Sequence, residues 1–176
     1  MADLAFKTKE GQTVDRALLI LYLNIGTADE PEWAQVGKRV EESSANYDWG
    51  EETKTDILGD TYTSLKKPTI TQSFEPCALD SGDKAQLKIW NAAIKDQDVQ
   101  ALSSMDMMIA HLYAGSTDTE AFAERYNACC VKPTGLGGSG GGNIGMPIDV
   151  TYGGTRTTGT AKVADGVVTF TAEGAQ

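Results

Sequence analysis

The sequence predicts a mainly β domain carrying one helix. Apolar residues recur with period two, or in short unbroken runs, over most of the chain. Clusters of Gly, Pro, Asp and Ser separate those runs. Only the stretch after Ser81 places its apolar residues at helical spacing.

Leu18 to Ile25, LLILYLNI, is an unbroken apolar run that stops at Gly26 and fits a strand covered on both faces. After the acidic loop Asp29-Glu30-Pro31-Glu32 and Trp33, residues 36–52 read as one amphipathic strand. Val36, Val40 and Glu42 share one parity and Tyr47 and Trp49 the other, so the apolar face switches near Ser43-Ser44, as a bend between two packing environments would require. Residues 53–67 show no clear period and are expected to project as an arm, because long connections in small domains are uncommon and usually functional. Thr69 to Phe74 alternates cleanly.

The helix is expected from Ser81 to about Asp96, with Leu87, Trp90, Ala93 and Ile94 facing the core, Asp80 or Ser81 as its cap and Asp83 in its first turn. Val99 to Tyr113 returns to period two. Met105, Met107, Ile109, His111 and Tyr113 lie on one side, with Asp106, Met108, Ala110 and Leu112 on the other. Residues 120–131 admit two readings. Thr117 and Glu120 resemble a helix capping box, whereas Tyr126, Cys129, Cys130 and Val131 favour a strand; the Gly115-Ser116 turn makes a hairpin, and hence the strand, the more economical topology. Seven of residues 135–145 are glycine, the composition of flexible coil. Residues 148–152, 155–164 and 167–171 read as short strands, the last two joined through Asp165-Gly166.

The 176 residues suffice for a single domain, 1–176, with a core over 16–134, the arm at 53–67, the Gly-rich segment at 135–145 and a C-terminal hairpin region at 146–172. Fifteen basic residues against 25 acidic give a formal charge of −10, and no basic cluster offsets it, which disfavours a tight nucleic-acid ligand. The polar N-terminus shows no secretory signal, and the apolar run is too short to span a bilayer, so synthesis in the cytoplasm and no membrane partner are expected. Cys77, Cys129 and Cys130 are odd in number and are expected to be reduced and buried.

Catalytic patterns are weak throughout. Gly135-Leu-Gly137-Gly-Ser-Gly140 matches a dinucleotide fingerprint in letters alone, because more glycines and Pro147 follow where a helix is needed. His111 is the only histidine, with no ligand at metal spacing, and Glu41-Glu42 and Glu51-Glu52 point to opposite faces of any strand. No enzyme activity, metal or cofactor is expected. Trp33 and Trp49, flanking the amphipathic segment, are candidates for a subunit interface.

The order of these features resembles the major tail (tail tube) proteins of long-tailed bacteriophages. The likeness runs from Leu18 to Tyr113, through Trp33-Ala-Gln-Val36-Gly37, Asn46-Tyr-Asp48-Trp-Gly50, Ile57-Leu-Gly59-Asp60, Pro68-Thr-Ile-Thr-Gln-Ser-Phe74-Glu-Pro76 and the helix opening Asp80-Ser-Gly-Asp83. It implies a β-sandwich or half-barrel with a flanking helix, assembled into stacked hexameric rings whose inner strands join one shared barrel. The product would be a virion tail conducting DNA as cargo, with a tape-measure protein and a tail terminator as partners. Similar folds serve contractile bacteriocins and secretion tubes, and a monomeric adhesion or ligand-binding sandwich is a further alternative.

The same resemblance implies that the arm reaches the next ring, through Asp56, Ile57, Leu58, Gly59, Asp60, Tyr62 and Leu65. An eight-stranded barrel is filled by its own side chains, so a DNA-wide channel has to be shared among chains. The strands at 36–52, 69–75, 99–113 and 120–131 are the candidates for its wall, and Glu42, Asp48, Glu75, Asp106 and Glu124 the candidates for facing the lumen.

Overall fold

A computed structural model describes residues 4–115, 120–164 and 166–174. The expected fold class holds: among the described residues there are eleven strands, mostly in one antiparallel sheet, with the helical segment packed beside them. The strands are β1 (Leu19–Asn24), β2 (Trp33–Val36), β3 (Ala45–Asp48), β4 (Glu52–Thr55), β5 (Thr61–Ser64), β6 (Thr69–Phe74), β7 (Met105–His111), β8 (Glu120–Pro133), β9 (Ile148–Tyr152), β10 (Arg156–Ala164) and β11 (Val167–Ala172). The main path runs β2-β1-β7-β8-β9-β6-β3, with β10 and β11 branching from β8.

The branch point explains the architecture. The first half of β8 lies between β7 and β10, pairing Glu124 with Ile109 on one side and with Thr158 on the other. Its second half leaves them and pairs with β9, Val131 opposite Val150. One strand therefore belongs to two layers. Between the layers sits the larger core, in which Leu21, Leu23, Met107 and Ile109 meet Ile70, Phe74, Val131, Ile148 and Val150. Removing side chains of this size from water stabilises by about 1.5–3 kcal/mol each. The other face of the first layer curls around a smaller core of Tyr22, Trp33, Met108 and Val168, where Ala110, Ala123 and Ala161 supply the close approach that curvature needs. The alternation expected for residues 105–112 is thus real, and each parity feeds a different core.

Several expectations need correction. Residues 36–52 do not form one strand. The chain breaks after Val36 through Gly37 at φ 107° and Arg39 at φ 58°, so β2 pairs with β1 while β3 crosses to β6. The switch of apolar face does mark a passage between two packing environments, but the break falls before Ser43. Residues 99–104 are not strand either. Asp98 caps a short helix, α2 (Val99–Leu102), by accepting from Ala101 N, and β7 begins only at Met105.

The main helix, α1 (Lys84–Trp90), runs on through one π-helical turn, Asn91–Lys95. Its cap is Asp83, whose carboxylate accepts from Gln86 N, not Asp80 or Ser81. It buries Ala85, Gln86 and Ile89, while Leu87 and Ile94, expected inside, are exposed. Trp90 and Ala92 pack partly against the core. Residues 120–133 are strand, and their Cys129 and Cys130 face opposite ways: Cys129 is buried and Cys130, against expectation, is exposed. Ser116, Thr117 and Asp165, on which two turn readings and the capping box rested, lie outside the described residues.

The 53–67 arm has regular structure of its own. Strands β4 and β5 form an isolated hairpin, Glu52 opposite Ser64 and Thr55 opposite Thr61, with every residue exposed. The Gly-rich segment folds back on itself, Gly137 and Gly145 exchanging backbone hydrogen bonds at 3.0 and 2.7 Å.

Candidate assembly surfaces

The layer β3-β6-β9-β8 has two unlike faces. Period-two alternation sends Ile70, Gln72 and Phe74 of β6 inward and leaves Thr69, Thr71 and Ser73 outside. The register carries that division across the sheet, setting Asn46 opposite Thr71, Asp48 opposite Thr69, Thr151 opposite both Thr71 and Cys130, and Asp149 opposite both Ser73 and Lys132. The outer face is polar and rich in hydroxyls. A bridge beyond the strands adds Glu42 opposite Glu75, both exposed. Asp149 is met by Lys132 at 3.6 Å and by the Ser73 hydroxyl at 2.7 Å, whereas Glu42, Glu75 and Asp48 have no cation in contact among the described residues. Like charges directly opposite each other destabilise a sheet. Beside this face a groove of about 1010 Å³ lies between Glu42, Asn46, Ser73 and Glu75 on one side and Gly137, Ser139 and Asn143 on the other.

Of the five carboxylates expected to face a lumen, three therefore stand on this surface and two do not. Glu124 is 6% exposed, on the inward face of β8 at the margin of the larger core. Its Oε1 accepts from His111 Nε2 at 2.9 Å, and its Oε2 accepts from the Tyr126 hydroxyl at 2.9 Å and from Arg156 Nε at 2.5 Å. An ionised carboxylate only accepts, so Nε2 carries the proton; in the neutral ring Nδ1 then accepts from the Tyr113 hydroxyl, 2.8 Å away. Burial by itself would raise the Glu124 pKa, but the bonds from His111, Arg156 and Tyr126 outweigh it and hold the group down to about 2. Asp106 is likewise engaged, gripped by Arg125 through Nε at 2.9 Å and Nη2 at 2.7 Å and approached by Asn24 Nδ2 at 2.9 Å. The strands 99–113 and 120–131 were expected in the wall; β7 and the first half of β8 instead lie in the other layer, largely buried on both faces.

The two interface tryptophans also part company. Trp33 is 9% exposed in the smaller core, with the Arg125 guanidinium 5.6 Å from its ring centroid, and does not reach the surface. Trp49 is 49% exposed and stacks on Tyr47 with centroids 6.3 Å apart, at the base of the hairpin where Trp49 O accepts from Lys66 N.

The hairpin carries its apolar residues at its tip. Ile57 is 101% and Leu58 83% exposed, with Tyr62 and Leu65 also outside. Asp56 Oδ1 accepts from Leu58 N at 2.8 Å and from Asp60 N at 3.0 Å, and Gly59 takes φ 89°, which a residue with a Cβ adopts only under strain. The tip is thus locked in shape while its two largest side chains lie in water. Sequence reasoning located the arm but missed its hairpin; the alternation of Thr53, Thr55, Thr61 and Thr63, which face each other in pairs, was the available signal.

Among solved structures, the chain is similar to a chain of the sheath/tube terminator of an extracellular contractile injection system, PVC, in its extended state. The TM-score is 0.54 at 8% identity, over 85% of this chain and 99% of that one. The two share a fold. The sheath-tube complex of the PVC system gives a TM-score of 0.49 at 9% identity, covering 88% of this chain and 95% of that one. The tube-terminating cap of the anti-feeding prophage gives 0.47 at 16% identity, covering 88% and 96%. No family model and no curated protein matches the sequence. The expected likeness to tail proteins is met at the level of fold alone, in a chain of a contractile particle and not in one of a long-tailed phage. Among the described residues no helix is long and apolar enough to cross a membrane, and no group of three His, Cys, Asp or Glu could hold a metal.

Proposed function

We propose that the protein is a structural subunit of a tail-like tube, closing into rings, six chains as the tail-tube resemblance implies, that stack through the β4–β5 hairpin. The observation that carries this is the outer face of β3-β6-β9-β8, where Glu42 and Glu75 are held opposite each other beside Asp48 and a run of Thr, Ser and Asn side chains, with Lys132 paired to Asp149. A sheet keeps a repulsive pair of that kind at some loss of stability, and a channel wall that must not bind a polyanion is a reason to keep it. The edge of β3 away from β6 has no strand partner among the described residues, so the layer is open to continuation by another chain. One subunit contributes too few strands to enclose a duplex, and neighbouring subunits complete the wall.

The lumen carries Glu42, Asp48 and Glu75, conducts DNA without retaining it, and admits a tape-measure protein during assembly. The particle is a phage tail or a contractile tail-like machine. Electron microscopy of the purified chain tests the proposal: rings and tubes support it, and monomers at every concentration refute it. Deleting residues 56–65 is expected to leave folded rings that no longer stack.

A second reading has its own support. One likeness, at a TM-score of 0.54, is to a sheath/tube terminator, and in this reading the subunit forms a single ring closing a tube built of another protein. Rings that never elongate, yet bind the ends of preformed tubes from the same particle, identify that case.

A further inference from the structure

A cleft of about 370 Å³ opens at the margin of the larger core, lined by Leu19 and Leu21 of β1, Val36 and Val40 around the break after β2, and Phe74 at the end of β6. Leu19 and Val40 are only partly buried, so the cleft presents apolar surface to water. Arg16 stands on its lining. Its guanidinium donates to the carbonyls of Ser43 and Leu19 and makes no ion pair with a carboxylate among the described residues. Glu41 is the one acidic residue on the same lining.

We infer that this cleft is the receptor for the β4–β5 hairpin tip of a second copy of the chain, with Ile57 and Leu58 seated on Leu19 and Val40 and with Asp60 facing Arg16. The inference rests on the tube reading and adds the acceptor site. Three features carry it. The tip offers the most exposed aliphatic pair among the described residues in a turn already fixed by Asp56, so docking orders little that is not ordered beforehand. The cleft volume lies at the small end of the range for binding pockets, about 300–1,000 Å³, which suits a pair of aliphatic side chains rather than a whole strand. Charges match as well, since Arg16 has only neutral acceptors and Asp60 uses its backbone alone in the turn.

The placement of the two sites gives the contact a direction. The hairpin joins β6 at its Thr69 end, through 66–68, while the cleft takes Gln72 and Phe74 from the opposite end of that strand. A tip seated in a cleft at the far end is a heterologous contact, which repeats copy after copy as an open stack wherever the rotation between copies does not close a ring. From Gly50 to Ile57 an extended chain reaches up to about 25 Å, enough to span a subunit boundary.

The test uses the full-length chain. Ile57→Asp lies wholly in solvent and leaves the fold intact; it is expected to reduce stacking at least about tenfold while rings still form. Arg16→Glu is expected to do the same, and Arg16→Glu with Asp60→Lys to restore stacking by reversing the pair. Stacking unchanged in Ile57→Asp and Arg16→Glu, or no recovery in the double variant, overturns the inference and leaves the tube reading standing. A cross-link separates the two further. In a Cys130→Ser background, where Cys77 and Cys129 are buried, Leu58→Cys protein is mixed with Val40→Cys protein under oxidation. A covalent dimer of the two supports the docking even where no ring is seen; its absence overturns it.

Discussion

Arg156 on β10 and Glu124 on β8 meet at 2.5 Å between Nε and Oε2, and the same carboxylate also takes bonds from His111 and Tyr126. Four side chains from three strands thus share one buried negative charge, at the place where β7, β8 and β10 run side by side. Truncating one partner of a buried pair leaves the others desolvated and unpaired. Glu124→Gln is expected to destabilise the fold by about 2–3 kcal/mol, and Glu124→Ala by more, in chemical denaturation at neutral pH. An unchanged midpoint in both variants would show that the cluster contributes nothing.

The same group sets an acid limit. With its folded pKa near 2 against an ordinary value of 4.5, Glu124 binds a proton less readily in the folded state than in the unfolded one. Its contribution is complete above about pH 4.5 and is lost as the pH falls toward about 2. A Tm profile of the native chain is expected to drop more steeply across that window than that of Glu124→Gln, and parallel profiles would contradict the assignment.

Thiol chemistry separates the three cysteines and reports on the polar face. Cys129 is buried, and that burial pushes its thiol up to about 12; burial also raises Cys77. Only the exposed Cys130, opposite Thr151 on the outer face, is expected to react with a water-soluble disulfide reagent before unfolding, with all three reacting in denaturant. In assembled tubes a small maleimide is expected to reach Cys130 slowly and a bulky conjugate not at all. Equal labelling of tubes and free subunits by the bulky reagent places that face outside.

Charge reversal on the proposed wall tests whether that face takes part in transport. Glu42 and Asp48 are exposed and carry no load in either core, so Glu42→Lys with Asp48→Lys is expected to leave folding and tube assembly intact. Replacing Glu42 also relieves the repulsion with Glu75 and is expected to raise stability by a few tenths of a kcal/mol. Delivery of DNA is expected to fall, because a cationic wall holds a polyanion that an acidic one repels. Normal infectivity of particles carrying these tubes would refute the lumenal placement.

What the sequence disclosed, and what it hid, has a physical pattern. Strands β1, β6, β9 and β10 were legible because one local rule, an unbroken run or a strict alternation, set their form. The break after Val36 was not, since Gly37 and Arg39 adopt positive φ in a stretch whose parity still looked like strand. Residues 99–104 run directly into the alternating stretch that starts at Met105, but the Asp98 cap and local backbone bonds made them helical. At the candidate surfaces, Glu75 continues the alternation of β6, whereas Glu42 and Asp48 lie beyond the break after Val36 and are placed by their pairing with Glu75 and Thr69. Glu124 required knowing that His111, Tyr126 and Arg156, from three strands, converge on it, and no spacing in a single chain segment encodes that.

The sharing of β8 between two layers has a mechanical consequence. A strand of 14 residues that pairs with β7 and β10 in its first half and with β9 in its second is a continuous backbone link between the two layers. Tension along its length loads the ladders in shear, where neighbouring hydrogen bonds resist together instead of opening one at a time. The β3-β6-β9 layer is therefore not tethered by side-chain packing alone, and a pull on it passes along β8 into the bonds with β7 and β10. A body built this way stretches little before it fails, which suits the proposed ring subunit, whose bore would have to hold while something is driven through it.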